Sequence, residues 1–240
     1  MTKAQLTAVL AGAILITVGA VSSVSAGDTV KHSITFATYA SDGDDLYWAL
    51  VLAESIRDFG GSLSDAPIWV HLNDAAPELD TMYAPRRDSL KVAIGHSHTP
   101  EGMQKIIYSG KVYASATAEK KLAGTTAILA WLDPDVIFVK EPKAFMLGAT
   151  VALGYRPVQL VNISSPYSEP LNEFWAHLYQ DLGVVDSQIY PMTTTTDMVQ
   201  IRAHFNAGML IVRPERGILQ SWPLALEKVW ADPAIQRMCS

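Results

Sequence analysis

The sequence predicts a three-layer α/β fold, in which helices cover both faces of a mostly parallel, mixed central sheet. Strand-like and helix-like stretches alternate from residue 32 to residue 230, which is typical of βαβ units. Residues 127–132 form an unbroken apolar run, as expected for a central strand that is covered on both faces. Because the second half of the chain is less regular, we expect some of its strands to be antiparallel.

Each predicted element follows from residue type and spacing. Strands are predicted where β-branched and aromatic residues cluster, and helices where apolar residues recur every three or four positions. The expected strands are residues 32–40, 66–72, 91–94, 127–133, 156–162 and 205–212. The expected helices are residues 46–59, 77–87, 101–121 (in one or two pieces), 169–182 and 214–230, with a Thr-rich loop at 193–196. Gly60 and Gly61 are expected to end the first helix.

The first 26 residues have the pattern of a secretory signal peptide. Lys3 precedes an apolar stretch at 6–21, and small residues at 24–26 precede Gly27. An uncleaved membrane anchor is the alternative, although the apolar stretch is shorter than the ~20 residues that span a bilayer. We therefore expect an exported protein, in the periplasm, outside the cell or in the secretory lumen, with one folded domain at 27–240. Contact with a membrane is expected only if the segment stays uncleaved.

Composition excludes several classes of function. The chain has 240 residues, of which 49% are hydrophobic, enough for a full core. Its formal net charge is −6 and no basic stripe is present, so nucleic-acid binding is not expected. Cys239 is the single cysteine, which excludes an intramolecular disulfide and leaves a Cys–His metal site without support.

Asp133 and Asp135 follow the apolar strand and mark the predicted functional site. A carboxylate next to buried apolar residues is costly unless it is paired, hydrogen-bonded or bound to a metal. Ligands of open α/β sheets bind at the carboxyl ends of the strands, where this pair is expected to lie. The alternative is a turn that simply ends the strand, because Asp-Pro-Asp favours turns.

Three segments resemble nucleotide-diphospho-sugar glycosyltransferases of the GT-A fold. Residues 131–138 (WLDPDVIF) are similar to the family's D-x-D motif between hydrophobic runs. Residues 205–214 (FNAGMLIVRP) resemble the family's F-N-A-G strand, and residues 34–40 resemble its opening strand. The likeness extends over about residues 32–230, and it implies transfer of a sugar from a nucleotide-diphosphate donor to an acceptor.

The resemblance also implies a metal ion and a set of site residues. Asp135 would bind Mn²⁺ or Mg²⁺ directly, and Asp133 would contact the metal or the ribose of the nucleotide. Carboxylate oxygens suit both ions, and a divalent cation neutralises the charge that develops on a departing diphosphate. The residues implied to bind the base and ribose are Thr38 and Tyr39, and those implied to face the sugar or acceptor are Asn206, Ala207 and Gly208. A side chain that caps local backbone is the alternative for Asn206.

Other interpretations stay open at this point. No histidine follows His204, although many metal-dependent relatives supply a third ligand there; the site is then incomplete, or the chain ends before the domain does. An inactive exported domain that binds a carbohydrate or nucleotide is therefore one alternative. A second alternative is a haloacid-dehalogenase-like phosphatase, in which Asp133 and Asp135 would be the catalytic pair. The late position of this pair in the chain disfavours it. His96 and His98 are expected to lie in a polar loop.

Overall fold

A computed structural model describes residues 32–162 and 164–239, and its centre is a six-stranded mixed sheet. The strands of this sheet are β1 (Thr35–Ala40), β2 (Ile68–Asn73), β3 (Val92–Ser97), β4 (Leu129–Leu132), β5 (Leu153–Pro157) and β8 (Phe205–Val212). Their order is β3-β2-β1-β4-β8-β5. Strands β1 to β4 are parallel, whereas β8 is antiparallel to both β4 and β5. Strands β6 (Pro191–Thr193) and β7 (Gln200–Arg202) form a separate antiparallel pair.

Helices cover both faces of the sheet, which confirms the predicted fold class. They are α1 (Gly43–Phe59), α2 (Ala84–Ser89), α3 (Ser109–Leu122), α4 (Glu173–Leu182), α5 (Trp222–Trp230) and α6 (Pro233–Cys239). The apolar side of α1 packs on one face of the sheet, and α3 to α6 pack on the other. The predicted signal segment at 1–26 lies outside the described residues. Within the described part of the chain, no helix has the length and apolar character needed to cross a membrane.

The apolar run before the carboxylate pair is the central strand that the sequence predicts. Leu129 and Trp131 belong to the core on the α3 face, whereas Ala130 and Leu132 belong to the core on the α1 face. All four side chains are fully buried. Burial on both faces explains why the run shows no alternation of apolar and polar residues.

Local signals at the start of α1 fix the loop that leaves β1. The side chain of Asp42 accepts a hydrogen bond from the backbone N–H of Asp45, which is a typical N-cap. Asp44 and Asp45 lie in the first turn, where the helix dipole stabilises negative charge. This arrangement places three carboxylates at the carboxyl edge of the sheet.

The largest differences from the predicted elements occur in three places. The strand expected at 156–162 is β5 at Leu153–Pro157, because Pro157 has no N–H and the pairing with β8 becomes irregular after Tyr155. The helix expected at 214–230 begins only at Trp222, since Gly217 has a positive φ of 62° and interrupts the segment. The helix expected at 77–87 is a 3₁₀ turn and the short α2, separated at Tyr83, whose φ is 54°.

Candidate functional site

A cavity of about 1070 Å³ opens at the carboxyl edge of the parallel strands. Its walls come from the loop between β1 and α1, the start of α3, the Asp-Pro-Asp segment, the first residues of β8 and the irregular chain after β5. Because β8 is antiparallel to β4, its first residues lie at the edge where β4 ends. The predicted site residues that line this cavity are Tyr39, Asp133, Asp135, Asn206, Ala207 and Gly208.

The two carboxylates have different surroundings. Nζ of Lys111 lies 2.7 Å from Oδ1 of Asp133, and both side chains are partly buried. The backbone N–H of Asp133 donates to the carbonyl of Gly208 at 2.9 Å, so β8 holds this position. Asp135 is exposed to the cavity, and the described chain offers its carboxylate no hydrogen bond or ion pair. The Asp-Pro-Asp segment therefore holds one neutralised carboxylate and, within the described chain, one free carboxylate.

Gly208 gives the Asp133 side chain its space. A Cβ atom at Gly208 would lie 2.6 Å from Oδ2 of Asp133 and 3.0 Å from Oδ1 of Asn206. The N–H of Gly208 donates to that same Asn206 oxygen at 2.8 Å. Asn206 thus caps local backbone, as the alternative interpretation expected, and it also lines the cavity.

We expect Gly208→Ala to destabilise the fold by about 1–3 kcal/mol, as overpacking typically does. The added methyl group has to displace the Asp133 carboxylate and strain its contact with Lys111. Urea unfolding measures the change. Gly102→Ala is the matched control, because a Cβ there meets nothing within 4 Å. Equal stability of the two variants would show that the close approach to Asp133 costs nothing.

Tyr39 and Thr38 lie on opposite faces of β1. The Tyr39 ring packs against Gly110, where a Cβ would come within 2.5 Å of the phenol oxygen. Burial, and then Asp45, Asp74 and Asp42, raise the pKa of Tyr39 to about 12, so its hydroxyl stays protonated.

Thr38 is 1% exposed and shares the α1 face with Phe36 and Ala40. Its Oγ1 has no partner among the described residues. Thr38 is not among the residues that line the cavity, because alternation along a strand turns only one of two neighbours toward it. That Thr38 binds the nucleotide beside Tyr39 stays a prediction.

The polar residues of the cavity that sequence reasoning missed include Lys111, Ser164 and His204. Lys111 reaches Asp133 because α3 begins at Ser109, which points the first turn of this helix at the D-x-D segment. The residue before that helix, Tyr108, has a positive φ of 67° and its ring lies 5.4 Å from the Lys111 ammonium. The spacing of residues in the sequence does not predict a positive φ at an aromatic residue, so this turn could not be anticipated.

The chain itself supplies few metal ligands. Among the described residues, no group of three or more His, Cys, Asp or Glu side chains is placed to hold a metal ion. His96 lies near the end of β3 and not in the expected polar loop, 3.7 Å from Asp74 and 3.2 Å from Asp80, whereas His98 is exposed just after this strand. Two carboxylates fit Mn²⁺ or Mg²⁺ when phosphate oxygens and water complete the coordination, which is the usual arrangement for Mg²⁺.

Comparison with solved structures gives distant similarities. Mouse xyloside xylosyltransferase 1 in its apo form is 10% identical with a TM-score of 0.42, over 88% of this chain and 72% of that one. Core-mannan synthase A from Aspergillus fumigatus in its Mn/GDP form is 10% identical with a TM-score of 0.42, over 79% and 62%. The mannosyltransferase Ktr4p from S. cerevisiae in complex with GDP is 12% identical with a TM-score of 0.45, over 89% and 68%.

Comparison at the level of sequence is more decisive. The search of curated proteins gave no significant match. The family described as the Rhodobacterales glycosyltransferase domain matches residues 38–239, which include every residue of the cavity discussed above. The predicted relation to glycosyltransferases is therefore confirmed, and the chain belongs to the Rhodobacterales glycosyltransferase domain family.

Proposed function

We propose that this protein transfers a sugar from a nucleotide-diphosphate donor to an acceptor hydroxyl in the cavity at the carboxyl edge of the sheet. The observation that carries the proposal is the free carboxylate of Asp135 beside the Lys111–Asp133 pair, in the lining of the cavity. Family membership supports the reaction class. The volume of about 1070 Å³ is at the upper end of the ~300–1000 Å³ of typical ligand sites, as a nucleotide sugar and its acceptor require.

The residues divide the cavity into functional parts. Tyr39 lies at the end formed by the β1–α1 loop and would contact the base and ribose. Asp133, Asp135 and Lys111 would meet the diphosphate in the middle, and Asn206, Ala207 and Gly208 would face the transferred sugar. In the transfer, the acceptor oxygen bonds to the anomeric carbon and the bond from that carbon to the diphosphate oxygen breaks. Its electron pair leaves with the nucleoside diphosphate, and the hydroxyl proton passes to solvent.

A divalent ion would supply positive charge for the leaving diphosphate when it is bound. Asp135 would hold Mn²⁺ or Mg²⁺, because its carboxylate is free and exposed to the cavity. Lys111 supplies a positive charge that is part of the chain, and it orients Asp133 through their contact of 2.7 Å. The site would thus combine the ammonium group of Lys111 with a binding position for an exchangeable metal ion at Asp135.

Calorimetric titration of the purified protein with UDP and GDP, with and without Mn²⁺, tests the proposal. We expect one of the two nucleotides to bind, and to bind at least about 10-fold more tightly with Mn²⁺, a gain of about 1.4 kcal/mol. Absence of binding to both nucleotides under all conditions would rule the proposal out.

An inactive nucleotide- or carbohydrate-binding domain is the second candidate. It is favoured by the lack of a third protein ligand for a metal within 32–162 and 164–239. Release of free sugar from the donor, or its transfer to an acceptor, separates the two candidates. Binding without any turnover would favour the inactive domain.

We also propose export by the N-terminal segment, which would place the reaction in a compartment that a nucleotide sugar has to enter.

We expect Lys111→Met to raise the affinity for Mn²⁺ in the absence of nucleotide by about 10-fold. The ammonium and a metal ion compete for the same Asp133 carboxylate, and methionine removes the charge while it keeps the apolar stem. Electron paramagnetic resonance of free Mn²⁺ measures the affinity. Lys120→Met on the same helix is the control, because it removes an equal charge from an exposed position outside the cavity. An equal gain in both variants would show that only net charge matters.

A further inference from the structure

The cavity wall on the β8–β5 side of the sheet, across β4 from the β1–α1 loop, is uncharged. Within the described chain, the residues that form this wall include Val158, Gln159, Leu160, Ser164 and His204. The opposite end carries the carboxylates of Asp42, Asp44 and Asp45, and the middle carries Lys111 and the Asp-Pro-Asp pair. The three parts of the cavity therefore differ in charge, and the neutral end offers a diphosphate no charged side chain.

A buried polar pair lies in this neutral wall. Ser164 is 5% exposed and His204 is 4% exposed, and Oγ of Ser164 lies 2.7 Å from Nδ1 of His204. The carbonyl of His204 accepts a hydrogen bond from the N–H of Val158 at 3.2 Å, and the Trp175 ring packs edge-on against the imidazole. Nε2 of His204 has no protein partner in the described structure. The ring is thus fixed in place with one nitrogen left to meet a ligand.

The chemistry of this nitrogen favours a hydroxyl group. Burial lowers the pKa of His204 to about 4, so the imidazole is neutral near pH 7. A neutral imidazole offers Nε2 either as a donor or as an acceptor, depending on the tautomer that Ser164 selects. A sugar hydroxyl can pair with either tautomer, whereas a carboxylate or phosphate can pair only with the tautomer that carries its proton on Nε2, and it finds no imidazolium charge there because burial opposes that form.

The position of His204 places this hydroxyl beyond the transferred sugar. His204 precedes Gly208 by four residues, and at about 3.3 Å per residue this is roughly 13 Å along an extended chain. Asn206 lies between them and faces the same cavity. A sugar at Asn206 would therefore separate the diphosphate at Asp133 from a second ring at His204.

We infer that His204, held by Ser164, is a positioning residue of an acceptor subsite that takes an uncharged carbohydrate and hydrogen-bonds one of its hydroxyl groups. This inference rests on the proposed function, and it adds the chemical class of the acceptor. Val158 and Leu160 offer the apolar surface against which the C–H face of a sugar ring packs, and the amide of Gln159 adds a polar group at the rim. Among the described residues, no Lys or Arg side chain lines this wall, so an acidic sugar finds no cation there.

The test measures binding of methyl glycosides by saturation-transfer NMR, with and without UDP, GDP and Mn²⁺. The neutral set contains the methyl glycosides of glucose, galactose, mannose and xylose. Methyl glucuronide is the matched acidic compound, because it differs from the glucoside only at the carboxylate. We expect at least one neutral glycoside to bind, and the glucuronide to bind at least 10-fold more weakly than the glucoside.

Two variants separate positioning from a purely structural role. The amide of His204→Asn lies where Nδ1 lies, so this variant can keep the bond to Ser164 while it loses the group at Nε2. His204→Gln reaches the position of Nε2. We expect the Asn variant to lose at least 10-fold in glycoside affinity, the Gln variant to stay within about 3-fold, and both to bind nucleotide as the unchanged protein does.

The inference is overturned if no neutral glycoside binds while a nucleotide does, if the glucuronide binds as well as the glucoside, or if His204→Asn leaves glycoside affinity unchanged. Glycoside binding that depends on His204 in a protein that binds no nucleotide would support the subsite and reject the proposed transfer. If the unchanged protein binds neither a glycoside nor a nucleotide, both the acceptor subsite and the proposed sugar transfer are rejected.

Discussion

Asp135→Ala is expected to weaken Mn²⁺-dependent nucleotide binding by at least about 100-fold, which corresponds to about 2.8 kcal/mol. Within the described chain, Asp135 is the free carboxylate of the Asp-Pro-Asp segment, since Lys111 already neutralises Asp133. Removal of the free oxygen ligands leaves the metal only a carboxylate that an ammonium occupies. Calorimetric titration with the nucleotide that the unchanged protein binds, in the presence and absence of Mn²⁺, measures the loss.

The same variant should fold normally, because the described structure gives Asp135 no partner to lose. Asp58→Ala is the matched control: it makes the same change in charge on an exposed turn of α1, away from the cavity. Nucleotide binding by Asp135→Ala that equals that of Asp58→Ala would exclude Asp135 from the metal site. A lower melting temperature of Asp135→Ala would instead indicate a structural role.

Glu119→Gln is expected to stabilise the protein by about 3 kcal/mol at pH 8 and to change its stability little near pH 4.5. Glu119 lies in α3 and is fully buried; its Oε2 accepts the backbone N–H of Gln220 at 2.7 Å, and its Oε1 has no partner within the described residues. Burial raises the pKa of Glu119 from 4.5 to about 7, and hydrogen bonds from residues 218–220 oppose this rise.

The direction of the pH effect follows from proton linkage. Between pH 4.5 and 7 the folded state keeps the proton that the unfolded state has released, so stability falls as the pH rises through this window. Above pH 7 the buried carboxylate is charged and its full cost remains. Glutamine mimics the protonated acid, and the variant should lose this fall in stability.

Urea unfolding at pH 4.5, 6 and 8 measures the effect. Glu101→Gln, at an exposed position, is the control and should match the unchanged protein at every pH. Equal stability of Glu119→Gln and the unchanged protein at pH 8 would show that the Glu119 carboxylate is fully compensated when it is charged.

The central sheet was predictable because its signals are local. The apolar run at 129–132 and the F-N-A-G strand at 205–212 both form strands within one or two residues of the expected bounds. Signals were weaker where tertiary contacts override local preference. β5 ends at Pro157 because β8 determines its pairing, and the chain beyond it becomes a cavity wall instead of the expected strand.

The sequence by itself determined which residues to expect at the carboxyl edge of the sheet, where the cavity opens. Carboxylates at the end of a buried strand are improbable unless they pair with another group or bind a ligand. The F-N-A-G motif, 70 residues after Asp135, was expected to lie beside them. The structure brings the two together because β4 and β8 are antiparallel neighbours, with Leu132 opposite Met209. Motifs at strand ends identify a site because strands of one sheet end at a shared edge.

Only the tertiary structure decided how the site is completed. Two contacts join residues of different elements: Lys111 with Asp133, and Ser164 with His204. Thr38 is buried on the face of β1 opposite Tyr39. No spacing in the chain encodes these contacts, because they depend on the direction in which α3 begins and on the path of the chain after β5. Within the described residues, this path of the chain leaves Nε2 of His204 and the carboxylate of Asp135 without a partner.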